Sequence, residues 1–236
     1  MRTRLAVIAA TAVLTASLLG CEKGQTNGFL ISGTSSDARV RVFNAVTTSA
    51  AVDFLVDGQI AASGIAFGAP SGYVSVPLGN HRLQIRSASI GTILVDFTRD
   101  FTSAGAFSLI PAPGLGQSGA LVTADDPTPT AGQTRVRLIN VAAAAGPVSV
   151  YVTAPDVDLT SATPSVPILP FGAASDYVTT TPGTYRIRFT RAGSPSEVLL
   201  DTGGVTFGAG SVRSLVLTDS PGGGLPTTMS NISDAS

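Results

Sequence analysis

The sequence predicts an all-β protein built from two tandem antiparallel sandwiches, and three observations carry that prediction. A long segment occurs twice: Ala38-Arg39-Val40-Arg41-Val42-Phe43-Asn44 returns 96 residues later as Thr134-Arg135-Val136-Arg137-Leu138-Ile139-Asn140. Apolar residues alternate over short runs in both copies, and no long 3.6-residue pattern follows residue 21. Twenty-six glycines and fifteen prolines punctuate those runs with turn signals.

In chain order, the first element is not part of the fold. Arg2 and Arg4 precede the uncharged run Leu5–Leu19, which is followed by Gly20 and Cys21, the one cysteine of the chain. A basic start, a short apolar run and small residues are the layout of a cleaved export signal. The run is shorter than the roughly 20 residues of a membrane-spanning helix. Leu18-Leu19-Gly20-Cys21 resembles the lipobox of bacterial lipoproteins. That resemblance implies signal-peptidase recognition at Leu18, Leu19 and Gly20, cleavage before Cys21, a diacylglycerol on its thiol and acylation (palmitate) of the new amino terminus. It also implies an exported, lipid-anchored protein of the bacterial cell envelope. In a Gram-negative host, Glu22 after the cysteine is compatible with the outer membrane. Stable anchoring takes about two acyl chains, which such a modification exceeds.

Residues 21–37 read as the lipidated end and a flexible tether, with a fully extended reach of roughly 50 Å. The first copy then spans 38–124. In Val52-Asp53-Phe54-Leu55-Val56, residues 52, 54 and 56 share one face, and Asp57-Gly58 supplies a tight turn. Leu83 and Ile85 alternate with Arg82, Gln84 and Arg86, giving a half-buried strand with an arginine-rich face expected in solvent. Ile93, Val95, Phe97, Arg99 and Phe101 form the longest alternation, with Arg99 expected at an edge or snorkelling outward. Residues 125–133, with two prolines, read as a semi-rigid linker. The second copy spans 134–219: Val148, Val150 and Val152 repeat the first valine face, and Tyr185, Ile187 and Phe189 alternate with Arg186 and Arg188. It carries eight extra residues between Thr153 and Leu169. Residues 220–236, rich in glycine and serine, are expected to fray. Short strands at this spacing indicate immunoglobulin-like sandwiches.

The repeat resembles DUF4397. The similarity lies in the Arg-Val-Arg-Val-x-Asn opening, the Val52-Asp53-x-x-Val56-Asp57-Gly58 strand and turn, and Phe67-Gly68-x-x-Ser71-x-Tyr73-Val74. The second copy keeps Phe171-Gly172, Ser175 and Tyr177-Val178 but has Ser149 and Thr153-Ala154 where the first has Asp53 and Asp57-Gly58. The resemblance implies a tandem all-β domain of secreted or surface-anchored bacterial proteins, with no established activity and no site to transfer.

Composition excludes several functions. Setting aside the two leader arginines, 12 basic side chains face 15 acidic ones, a net charge of −3 without a basic block, so nucleic acid is not an expected partner. His81 is the one histidine, placed by the sequence in a turn, and the second copy has Tyr185 there, so a histidine-based nucleophile pair is not expected. Gly114-x-Gly116-x-x-Gly119 follows Pro111-Ala112-Pro113 and precedes a strand, the wrong context for a dinucleotide loop, and reads as a flexible loop. Asp125, Asp126 and Asp37 could gather calcium at the domain joint, though without a recognised ligand spacing. No cofactor is expected. The expected function is a non-enzymatic, lipid-anchored envelope protein whose sandwiches form an extended spacer and interaction module. The alternative is an adhesive or ligand-binding lipoprotein that recognises an envelope protein or glycan through the second-domain insertion, with Asp156 and Asp158 as candidate binding residues.

Overall fold

A computed structural model describes residues 36–116 and 119–234. The expected export signal, Cys21 and nearly all of the expected tether lie outside the described residues. Strands β1 (Ala38–Val42), β4 (Val74–Val76), β7 (Gly105–Pro111) and β8 (Ala120–Asp125) form one sheet in the order β4-β1-β7-β8. The facing sheet contains β2 (Ala51–Val56), β3 (Gln59–Ala66), β5 (Gly79–Ser87) and β6 (Ile93–Phe101), in the order β3-β2-β5-β6. A second pair of sheets repeats this plan. One holds β9 (Thr134–Asn140), β12 (Ala173–Ala174), β13 (Val178–Thr180), β16 (Val212–Thr218) and β17 (Thr228–Ser233), ordered β12-β9-β16-β17 with β13 also on β9. The other holds β10 (Val148–Thr153), β11 (Val166–Leu169), β14 (Gly183–Arg191) and β15 (Ser194–Phe207), ordered β11-β10-β14-β15. Each pairing among these strands falls within β1–β8 or within β9–β17.

The period-2 pattern explains each core. Ala38, Val40 and Val42 of β1 point inward, where they meet Val52, Phe54 and Val56 of β2 and Leu83 and Ile85 of β5. Val136 and Leu138 meet Val148, Val150, Ile187 and Phe189 in the second unit. Asp57 (φ 51°) and Gly58 (φ 80°) make the expected two-residue turn between β2 and β3, with the positive φ values of a primed hairpin turn. In the second unit the same hairpin carries the insertion instead.

Several expectations are corrected. The sandwiches are not purely antiparallel, because β1 pairs with β7, and β9 with β16, in parallel. The chain passes through the opposite sheet between those strands, which permits parallel pairing where a hairpin would not. Residues 220–236 do not all fray: Thr228–Ser233 form β17, paired with β16 over six residues. His81 lies in β5 rather than in a turn. Arg99 does sit on an edge strand, its guanidinium carbon 5.5 and 5.4 Å from the Phe101 and Phe107 ring centres.

The largest difference concerns the joint. The outward face of β1 continues from Arg39 and Arg41 to Phe43, which is fully buried against the other unit. Phe43, Ala45, Ile110 and Ala112 of the first unit pack with Ile139, Val141, Val216 and Ile232 of the second in a third apolar cluster. The two sandwiches are therefore docked over a shared core. They are not strung on a linker.

Candidate functional site

Docking buries four charges, and their arrangement has a local two-fold pattern. Arg41 of β1 donates to the Asp234 carboxylate of the second unit, and Arg137 of β9 donates to the Asp125 carboxylate of the first. The remaining partners match in pairs. Arg41 Nε donates to Ser108 Oγ at 2.8 Å, and Arg137 Nε to Ser214 Oγ at 2.6 Å. Those serines donate to Asp125 Oδ2 (2.7 Å) and Asp234 Oδ2 (2.6 Å) of their own units. Tyr73 and Tyr177 donate to the same two oxygens at 2.6 and 2.7 Å. Arg41 Nη1 reaches Ser233 O at 2.6 Å, and Arg137 Nη1 reaches Ala124 O at 2.8 Å. Each unit thus holds its own aspartate in place and pairs it with the arginine of the other.

The two positive and two negative charges balance, so burial leaves no net charge. Burial alone would depress the Arg41 pKa; Asp125, Tyr73 and Asp234 more than offset it and hold the guanidinium above its ordinary value. Burial is also the main cause that lifts the Tyr73 and Tyr177 phenols above the usual tyrosine range. Asp125 adds to it at Tyr73; at Tyr177 Arg137 opposes it and Asp234 adds.

The other polar residues of the repeat are equally structural. Asn44 and Asn140 are fully buried; each side-chain oxygen accepts a backbone N–H two residues on (Val46 and Ala142), and each amide donates to a carbonyl across the loop. Ser71 and Ser175 accept from the N–H groups of Val42 and Leu138. Gly68 and Gly172, with φ of 73° and 74°, face the opposite unit: a Cβ would lie 3.4 Å from Ser230 Oγ at the first and 2.8 Å from Leu115 Cδ2 at the second. The Phe-Gly-x-x-Ser-x-Tyr segment is a docking segment. Sequence reasoning missed this role, although Phe43 and Ile139 on the arginine-bearing face were a signal that the face is covered.

The sites expected from sequence are placed as follows. Asp158 is exposed and caps a single 3-10 turn at Leu159–Ser161, accepting from Thr160 N at 2.9 Å. That bond, with the Thr160 side chain, lowers its pKa. Asp156 is exposed nearby, and the insertion backbone lies over the arginine row: Pro155 O accepts from Arg186 Nη1 and Val157 O from Arg188 Nη2. Arg188 is buried beneath it. Arg82 and Arg186 remain on the open face, paired with Asp96 and Asp201. His81 Nδ1 lies 2.7 Å from Asp57 Oδ2, a bond that is the chief cause of the lowered Asp57 pKa. The calcium candidates are held by guanidinium groups: Asp125 by Arg137, and Asp126 by Arg135. Asp37 Oδ2 instead accepts from Ser75 Oγ at 2.9 Å. Among the described residues no group of three or more histidine, cysteine or acidic side chains gathers as a metal site. In the glycine-rich loop, Leu115 packs against the shared core and Gly114 lies under the Phe171 ring, so the described part of that loop is docked.

Two hollows remain. An apolar one of about 140 Å³ opens in the second unit between β11 and β13, lined by Val136, Leu138, Val152, Val166, Val178 and Phe207. One of about 440 Å³ with a mixed lining lies where the units meet, beside Arg39, Tyr73 and Ser233.

Comparison with known proteins adds family context. Residues 38–151 match the family described as Domain of unknown function (DUF4397), an interval that runs from β1 through the joint into β10. No curated protein matches. Two solved structures resemble the chain weakly. One is a family 26 carbohydrate-binding module from Eubacterium rectale in complex with maltoheptaose, 13% identical over 81% of this chain and 95% of that one, with a TM-score of 0.29. The other is a candidate adhesin from Bacteroides ovatus, 8% identical over 80% and 90% of the two chains, with a TM-score of 0.19. Scores so far below 0.5 carry no functional argument, which must come from the chain's own residues.

Proposed function

We propose that this protein is a non-enzymatic, lipid-anchored component of the bacterial cell envelope whose two docked sandwiches form one rigid spacer and interaction module. The observation that carries the module is the use made of the repeat's polar signature. Its paired Arg, Asp, Tyr, Ser and Asn residues are engaged with one another or with backbone, which suits architecture better than chemistry. The anchor rests on Arg2, Arg4, the uncharged run and Leu18-Leu19-Gly20-Cys21. Together they describe a rigid body held near a membrane by a tether.

The experiment is metabolic labelling with a lipid probe in a bacterial host. The natural chain takes up label at Cys21 and matures. Cys21→Ser leaves an unlabelled precursor. Maturation and labelling of the Cys21→Ser chain would sink the lipoprotein reading while leaving the docked module intact.

A further inference from the structure

We propose that the cleft beside Arg39 is a binding site for an acidic peptide segment of a partner protein. The local two-fold pattern supplies the argument, because it is kept at the buried charges and broken just outside them.

In the second unit, Arg135 lies over the Tyr177 ring at 4.9 Å. The chain leaving Asp125 covers it: Asp126 Oδ2 accepts from Arg135 Nη2 at 2.7 Å, and Thr128 O accepts from Nη1 at 2.7 Å. The Asp126 pKa falls to about 2, chiefly through the bond from Arg135, with Thr128 adding. The segment Asp126-Pro127-Thr128 is thus a peptide ligand supplied in cis, a carboxylate for one end of the guanidinium and a carbonyl for the other. Such a fork suits arginine, whose planar donors bind two acceptors together.

The corresponding arginine of the first unit is Arg39, half-buried over the Tyr73 ring at 5.1 Å. Among the described residues no carboxylate or carbonyl accepts from it. The sequence withholds the matching carboxylate: Asp125 is followed by Asp126, whereas Asp234, its counterpart, is followed by Ala235. On the first unit the described residues around Arg39 form a cleft of about 440 Å³ lined by Arg39, Arg41, Pro70, Ser71, Tyr73 and Ser233. Arg41 in its floor is already neutralised by Asp234, so among the described residues Arg39 contributes a positive charge with no carboxylate paired to it. The sister site therefore specifies the occupant: an aspartate or glutamate side chain, with a backbone carbonyl two residues further on. This goes beyond the spacer reading and does not require the lipid anchor.

The test uses the detergent-solubilised full chain, titrated with N-acetylated Asp-Pro-Thr-Pro amide while backbone amide signals are followed by NMR. Saturable shifts at Arg39 and Ser71–Tyr73, with a Kd of about 1 mM, are expected. The Ala-Pro-Thr-Pro peptide and the Arg39→Gln chain should each bind about tenfold more weakly or worse, since each removes a charge-assisted pair. Arg39→Lys, which keeps the charge without the fork, should fall between, and Arg82→Gln on the opposite sheet should bind normally. The proposal is overturned by an absence of saturable shifts up to about 10 mM, or by equal binding of the alanine peptide. It is overturned as well if an oligogalacturonate binds the cleft more tightly than the peptide, or if binding needs removal of residues 235–236.

Discussion

Arg41 and Arg137 look alike on paper to Arg82 and Arg186, since all four alternate with apolar residues on a strand, yet their surroundings set them apart. The first two are 2% exposed and hold carboxylates across the joint; the others hold Asp96 and Asp201 on an open face. Alternation alone cannot distinguish a strand with one covered face from a strand with two. The residues that could were Phe43 and Ile139, apolar where a solvated arginine face should stay polar. Removing one member of a buried pair strands its partner and costs about 3–5 kcal/mol, far more than an exposed pair contributes. The same enclosure gives Tyr73 and Tyr177 a signature. Their folded pKa values are raised, so the stability they contribute is present below the unfolded value of 10.0 and is lost as pH rises above it. Phenolate absorbance of the native protein at about pH 11 should therefore lack the contributions of Tyr73 and Tyr177. Adding denaturant at that pH should restore both; ionisation of Tyr73 and Tyr177 in the native state would show that the phenols are not enclosed.

At the scale of elements, the turns were more legible than the strands that close the molecule. Asp57-Gly58 was readable because a two-residue primed turn needs positive φ, which Asp tolerates and glycine adopts freely. β17 was hidden. Its sequence Thr-Met-Ser-Asn-Ile-Ser buries only Ile232 fully, and a glycine-rich stretch precedes it, so composition resembles a tail. Its place is fixed by what it meets: Ile232 enters the shared core, Ser230 Oγ donates to Gly68 O at 2.8 Å, and Asp234 just beyond it neutralises Arg41. Ile232→Ala should cost about 2–5 kcal/mol in urea unfolding, the range for a large-to-small change at a closed core position. A change near zero would mean that this strand does not seal the joint. The insertion was legible as an extra segment from the mismatch between copies. Its backbone contacts to Arg186 and Arg188 were not, because carbonyl groups leave no trace in residue type.

At the scale of the whole molecule, the repeat disclosed two similar units but not how they sit together. A linker with two prolines reads as a spacer when only its composition is considered. In the structure Asp125 ends β8 inside the joint, Asp126 pairs with Arg135, and the outer faces of two sheets supply a core of their own. The result is a single body in which the first strand of each unit grips the end of the other. Such coupling makes the sandwiches one cooperative unit. The most direct test is a double-mutant cycle between Arg41 and Asp234, far apart in sequence and in different units, using Arg41→Met, Asp234→Asn and the pair. Docking through reciprocal charges predicts a coupling of about 1–3 kcal/mol in equilibrium unfolding, with the double variant losing less than the sum of the singles. Strict additivity, with no coupling beyond about 0.5 kcal/mol, would contradict it and return the two sandwiches to independent beads on a linker.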